Sequence, residues 1–301
     1  MTTDMKKAMF HSSSSMAIFI MILALALAAF SGGLMKTLTE SLEPPLISFF
    51  RFFGYFILLL PIALIKYGGK IFQRGYSKEQ ILRGLALVLG NTAFMYGVQH
   101  VDYANSIAIL YVYPFLMISL SVWILRERIS SRTWLGVFGG FLGVILVLRP
   151  DLLKLEFHGL FILFTGLMVA LQMLLNRKLG RATAPLIVAI WGALVGCLVS
   201  GLFAPFFWSS PGKTDLVIIL ILSVCTALSQ TLMIVAMTWA SADKIAPFTY
   251  FEIPFAVLVG FLLFETLPDF LSWVGITLII FSGVLVKLVP DTFQMRPRDK
   301  F

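Results

Sequence analysis

Stretches of this chain run for at least 18 residues without an Asp, Glu, Lys or Arg, among them Met16 to Met35, Gly84 to Val101, Tyr103 to Leu125, Ala182 to Gly212 and Leu216 to Ala242. A run of that length reads as a membrane span. Charged residues make up 13% of the 301 and hydrophobic ones 59%, so charge is about half that of a soluble domain. Lipid offers the backbone no hydrogen-bond partners, so only helices and closed barrels cross it. The runs are continuously apolar rather than alternating, which selects helices.

Ten spans are expected, at roughly 16–35, 45–65, 84–101, 103–125, 133–148, 157–176, 184–204, 216–236, 245–264 and 270–288. The fifth is short and needs snorkelling flanks or a thinned bilayer. With the N-terminus inside, 18 of the 23 Lys and Arg fall in inner segments. Lys36, Arg149, Lys154 and Lys213 fall outside, and Arg51 lies within a span. That asymmetry fits the positive-inside rule and favours ten crossings with both termini cytoplasmic. The net charge of +8 therefore marks topology rather than a nucleic-acid face. Lys6 and Lys7 precede the first run as in a signal peptide, but its length and weak cleavage context predict a retained span. Cys197 and Cys225 sit in apolar runs and read as small buried hydrophobes.

The two halves repeat at an offset near 140 residues. Tyr103 to Ala108 corresponds to Ser241 to Ala246. Glu127, Trp134, Gly136 and a run ending at Pro150 correspond to Glu265, Trp273, Gly275 and a run ending at Pro290. Pro45 corresponds to Pro185, and the repeat mate of Pro114 is near Glu252. The units expected are residues 16–150 and 157–290, with tails at 1–15 and 291–301. Five spans per copy is an odd number, so the second copy enters from the opposite side. Inverted copies place a substrate site near the midplane between them.

Glu127/Trp134/Gly136/Gly143 and Glu265/Trp273/Gly275/Gly283 resemble the drug/metabolite transporter superfamily, EamA type, over residues 16–290. The resemblance implies two inverted five-helix repeats and carriage of a small metabolite across a bacterial inner membrane. Its members export amino acids and drugs, or import riboflavin and S-adenosylmethionine. Phe49 to Phe53, Ile81 to Gly84, Pro247 to Glu252 and Phe264 to Asp269 look most like S-adenosylmethionine uptake carriers.

Charges within hydrocarbon cost about 2.5–3.5 kcal/mol on insertion scales and so mark function by default. Arg51 lies six residues into the second span and Glu252 seven into the ninth. At about 1.5 Å per residue their backbones differ in depth by roughly 10 Å across a ~30 Å core. A zwitterionic ligand could bridge them, Arg51 holding a carboxylate and Glu252 facing a cation or exchanging a proton. A buried Arg–Glu tie, or a snorkelling Arg51, is the bland alternative. Asn91, Tyr96, Gln99, Asn105, Ser106, Tyr111, Tyr113, Gln172, Asn176, Trp191, Gln230, Thr249 and Tyr250 are further polar or aromatic candidates at membrane depth. For each amide, interhelical bonding competes with ligand contact. Tyr96, Tyr111, Tyr113, Trp191 and Tyr250 could line a pocket that stacks a ring or a cation. Tyr113-Pro114 should interrupt the fourth helix, and spans three, four, eight and nine should line the cavity.

Gly136/Gly140, Gly139/Gly143 and Gly192/Gly196 suit close helix contacts within a monomer, with weak homodimerisation a lesser option. Trp134, Trp208 and Trp273 suit interfacial anchors. His100 abuts Asp102 and could relay protons, though a lone loop histidine is more often solvated. No HxxxxD, DxD, HExxH, GxSxG or GxxxxGK[ST] occurs. An enzyme, an ATPase, a bound cofactor or a metal is therefore not expected. The expected partners are a small-molecule substrate, the bilayer, and a proton or counter-substrate.

Overall fold

Proline sets the breaks in this all-helical chain. The computed structural model describes residues 3–69, 71, 77–125, 138–143, 145–146, 157–179, 183–239 and 248–288. Its helices are α1 (Thr3–Leu38), α2 (Pro44–Tyr67), α3 (Lys78–Val98), α4 (Tyr103–Leu110), α5 (Tyr113–Leu125), α6 (Phe157–Leu179), α7 (Pro185–Phe203), α8 (Lys213–Trp239), α9 (Glu252–Phe264) and α10 (Phe270–Leu288). Residues 138–143 and 145–146 are also helical, and no strand occurs among the described residues. Among the described residues six helices are long and apolar enough to cross a membrane, and three shorter apolar ones cover Tyr103–Met117, Glu252–Phe264 and Phe270–Ser282. Glu127, Trp134, Gly136, the 241–246 copy and the C-terminal tail lie outside the described residues. The helix of the first span begins well before residue 16, inside the expected tail.

Proline has no N–H and its ring clashes with the carbonyl four residues earlier. Leu110, four before Pro114, is the last residue of α4, and the chain turns before α5 begins at Tyr113. Pro254 stands 140 residues after Pro114. Tyr250, four before Pro254, begins the turn that precedes α9. The expected fourth and ninth spans are thus each broken at matching positions. Pro44–Pro45 and Pro185 open α2 and α7, where a missing N–H costs nothing. Ser77 caps α3, its hydroxyl accepting from the Gln80 N–H at 3.2 Å. Glu265 ends α9 in a left-handed conformation, φ 54°.

Helix directions follow from contacts at the two ends of the bundle. At one end the Ser41 hydroxyl donates to Asp215 at 2.9 Å, Lys36 donates to the Val101 carbonyl at 3.0 Å, and the His100 and His158 rings stack at 3.7 Å. There α1 and α3 finish while α2, α6 and α8 start. At the other end Glu79 pairs with Lys178 at 2.9 Å, so α3 starts where α6 finishes. The main packing pairs are α1 with α8, α3 with α6, and α2 with α7. Next come α3 with α7, α8 with α2, α1 with α9, and α6 with α4 and α5. Exchanging α1 for α6, α2 for α7, α3 for α8 and α4–α5 for α9 maps this set onto itself.

The expected glycine contacts occur within the chain. A Cβ on Gly143 would meet the Gly275 carbonyl at 2.8 Å, one on Gly140 would strike the Phe115 ring, and one on Gly196 would meet Phe52 at 2.6 Å. Cys197 and Cys225 are free thiols, the latter buried. Trp208 and Trp273 are exposed.

Candidate functional site

The two proline breaks meet each other. The Tyr111 hydroxyl, at the end of the first break, donates to the Thr249 carbonyl and lies 3.0 Å from Glu252 Oε2, both at the second. The Tyr111 ring packs on Tyr113 at 5.3 Å and on Tyr250 at 5.5 Å between centroids. A phenol carries one hydrogen and a carbonyl only accepts. While Tyr111 donates to Thr249, Glu252 engages the phenol oxygen by donating a proton of its own. An ionised Glu252 instead draws the Tyr111 hydrogen to itself and leaves the carbonyl without that donor. The two acceptors thus compete for the single Tyr111 hydrogen.

Glu252 and Tyr113 open onto a cavity of about 130 Å³ shared by α1, α2, α3, α4, α5, α6, α8 and α9. Arg51 lines the same cavity at 7% exposure. Its Nε donates to Thr226 Oγ1 at 2.9 Å and one Nη to the Met35 thioether at 3.0 Å. Thioether sulfur is a weak acceptor, and no ion pair joins Arg51 to Glu252. A buried guanidinium held by a hydroxyl and a sulfur keeps most of its charge uncompensated, which is unfavourable unless something anionic reaches it. Asn91, also in the lining, donates to Ser48 Oγ at 3.0 Å, while its Oδ1 is buried with no partner among the described residues. Gln172 and Gln230 complete the polar wall, 3.4 Å apart. Cation, carboxylate, amides and phenols thus surround one small chamber.

Arg51, Asn91, Tyr113, Gln172, Gln230 and Glu252 come together at this chamber, with Tyr111, Thr249 and Tyr250 behind Glu252. Six candidates lie elsewhere: Asn105 and Ser106 on α4, Ser106 donating to the Val101 carbonyl at 3.4 Å, Asn176 on α6, and Tyr96, Trp191 and Gln99. Tyr96 stacks on Phe161 at 5.6 Å and lines an apolar groove of about 460 Å³ between α3 and α6. In a membrane that surface belongs to lipid. Trp191 donates its indole N–H to the Ile71 carbonyl at 3.0 Å, at the end of the bundle carrying Glu79 and Lys178. Gln99 is exposed just past α3. The five-aromatic pocket expected from sequence therefore reduces to Tyr111, Tyr113 and Tyr250. His100 stacks on His158, a neighbour sequence proximity to Asp102 did not suggest.

Arg83 was missed. Its neighbourhood in sequence assigns it to an inner loop, yet it is fully buried inside α3. Its Nε donates to Asn176 Oδ1 and one Nη to the Val188 carbonyl at 3.1 Å. The signal that could have found it is Ser77, whose capping places the start of α3 six residues earlier.

A chamber that holds a cation, a carboxylate and amides among apolar residues, where two broken helices meet, fits the architecture of a membrane carrier. This chain belongs to the EamA-like transporter family, whose profile matches residues 15–149 and 157–288. It is 25% identical over 259 residues to the S-adenosylmethionine uptake transporter of Rickettsia prowazekii (strain Madrid E), covering 86% of this chain and 88% of that one. It is 24% identical over 240 residues to the riboflavin transporter of Rhizobium johnstonii (strain DSM 114642 / LMG 32736 / 3841), covering 79% of each. One solved crystal structure superposes with a TM-score of 0.68 over 91% of this chain and 97% of its own, at 15% identity, which establishes a common fold.

Proposed function

We propose that this chain carries a small zwitterionic metabolite, of the S-adenosylmethionine or amino-acid type, across a bacterial inner membrane by alternating access. The carrying observation is that Arg51, from the first half, and Glu252, from the second, line one cavity without neutralising each other. The substrate carboxylate binds Arg51. Its ammonium or sulfonium faces Glu252 and the tyrosines, whose rings also suit a cation or a planar base. Tyr96, Gln99 and Trp191 have no part in this site.

The working unit is two inverted five-helix repeats, residues 16–150 and 157–290, with both termini cytoplasmic. Opposite directions of α1 and α6, of α2 and α7, and of α3 and α8 support it, as does a packing pattern unchanged by exchanging the halves. A chamber of about 130 Å³ is below the ~300 Å³ of ordinary ligand pockets, so the two halves must part to admit a metabolite. Protonation of Glu252, which reselects the Tyr111 hydrogen bond, couples that opening to a proton or to the substrate cation.

The relative named as a riboflavin transporter gives the second reading, in which the tyrosine cluster stacks a flavin ring. Uptake into proteoliposomes decides between them, using S-adenosylmethionine, amino acids, riboflavin, nucleotide precursors and quaternary amines, with and without a pH gradient. Arg51→Met and Glu252→Gln should each abolish uptake of a zwitterion while leaving folded protein. Normal transport by both variants would end this assignment.

A further inference from the structure

Arg83 is the other membrane-embedded arginine, and its surroundings are built differently. Two of its nitrogens are held, by Asn176 on α6 and by the Val188 carbonyl on α7. The other Nη is buried and has no partner among the described residues. Gln80, one turn earlier on the same face of α3, is 1% exposed, and neither its Oε1 nor its Nε2 has a partner there. Buried polar atoms are almost always paired, so three orphaned atoms on one helical stripe point to a missing ligand. Gly192 shapes the place: a Cβ there would strike the Arg83 guanidinium. Glycine is what lets the cation reach α7.

The stripe leads into the chamber. Arg83, Leu87 and Asn91 stand at i, i+4 and i+8 on α3, and the last two line the cavity. Arg83 is therefore about 12 Å from Asn91 along the helix, toward the end where Glu79 meets Lys178. On α2, Tyr55 follows Arg51 by one turn, and it stands within electrostatic range of both arginines.

We propose that Arg83 and Gln80 form a second subsite, for the α-amino-carboxylate end of the substrate, occupied when the chamber opens toward the Glu79–Lys178 end. The free Arg83 Nη and Gln80 Nε2 supply one donor to each carboxylate oxygen. Gln80 Oε1 accepts from the ammonium. The head group passes from Arg51, by Tyr55, to Arg83, so each open state has its own arginine. This inference rests on the zwitterion path proposed above.

The test is sided kinetics. Wild type, Gln80→Leu, Arg83→Gln and Arg83→Lys are reconstituted in vesicles of known orientation. KM for S-adenosylmethionine, or for the amino acid the wild type carries best, is measured from each face, with thermal unfolding in parallel. Gln80→Leu should raise KM on the Glu79–Lys178 face about tenfold, the scale of one hydrogen bond to a charged group, and change the other face less than about twofold. Arg83→Gln should shift the same face further, with Arg83→Lys partly restoring it. No change in Gln80→Leu, or equal shifts on both faces with a lowered melting temperature, would overturn the subsite and leave Arg83 a structural tie. Wild type carrying no zwitterion would overturn the underlying path and this proposal together. Full activity of Arg51→Met would overturn only the first site, leaving the sided KM to judge the second.

Discussion

Arg51 and Arg83 are both buried guanidiniums in an apolar bundle, yet their company differs. Arg51 leans on a hydroxyl and a thioether and opens onto a cavity. Arg83 is clamped by an amide oxygen and a main-chain carbonyl and opens onto none of the described cavities. Neither has a carboxylate partner among the described residues. A buried charge is costly and is tolerated where acceptors surround it. The first arginine is therefore under-compensated beside a cavity, and the second is mostly compensated by the helices it joins. Removing the first should cost transport, and removing the second should cost stability as well.

The sharpest way to break this contrast is Arg51→Met. Its kcat/KM for a zwitterion should fall at least about 100-fold, the scale expected when a ligand loses a buried charge partner. Its thermal stability should stay level or rise. A parallel loss of folding would make Arg51 another tie. Arg83→Met comes next: it leaves the buried Asn176 Oδ1 without its donor and empties the clamp that joins α3 to α6 and α7, for a destabilisation of about 2–4 kcal/mol, read by thermal unfolding in detergent.

Gly192→Ala sharpens the comparison without touching charge. Its methyl would collide with the Arg83 guanidinium, and overpacking of this kind costs about 1–3 kcal/mol. Arg51-dependent binding from the opposite face should persist. On the second half, Glu252→Gln keeps the shape but removes charge and titration together, so uptake should fall to background with or without a pH gradient. Uptake that survives and still responds to the gradient would place the coupling group elsewhere. Smallest of all, Lys178→Ala removes an ion pair whose two partners are well exposed. Such pairs contribute little, and neither unfolding nor transport should change measurably.

What could be read from the chain follows from the cost of charge in hydrocarbon. Arg51 and Glu252 stood out because no other charge is near them in sequence, and both line the chamber. Arg83 did not, because it borders a loop rich in Lys and Arg. Counting it with that loop ignored that a helix capped at Ser77 already encloses it. Tyr96 and Trp191 were expected at the site because both lie at membrane depth. Depth is a property of the sequence, but the direction a side chain faces is not. In a soluble helix an apolar stripe marks the inner face. Lipid is as apolar as a protein core, so α7 and α9 carry hydrophobic residues nearly all round and conceal which face is inside.

An apolar helical membrane chain, a repeat spaced by about 140 residues and a proline that breaks the fourth helix are legible in the chain alone, because the missing N–H of proline acts locally. Only the tertiary structure decided that the two breaks touch through Tyr111, that Arg51 and Glu252 share a cavity without pairing, and that Arg83 and Gln80 lie buried beneath it. Those facts depend on helix rotation and on packing between segments up to about 200 residues apart. No local pattern encodes such rotation when every face of a helix is equally at home in oil.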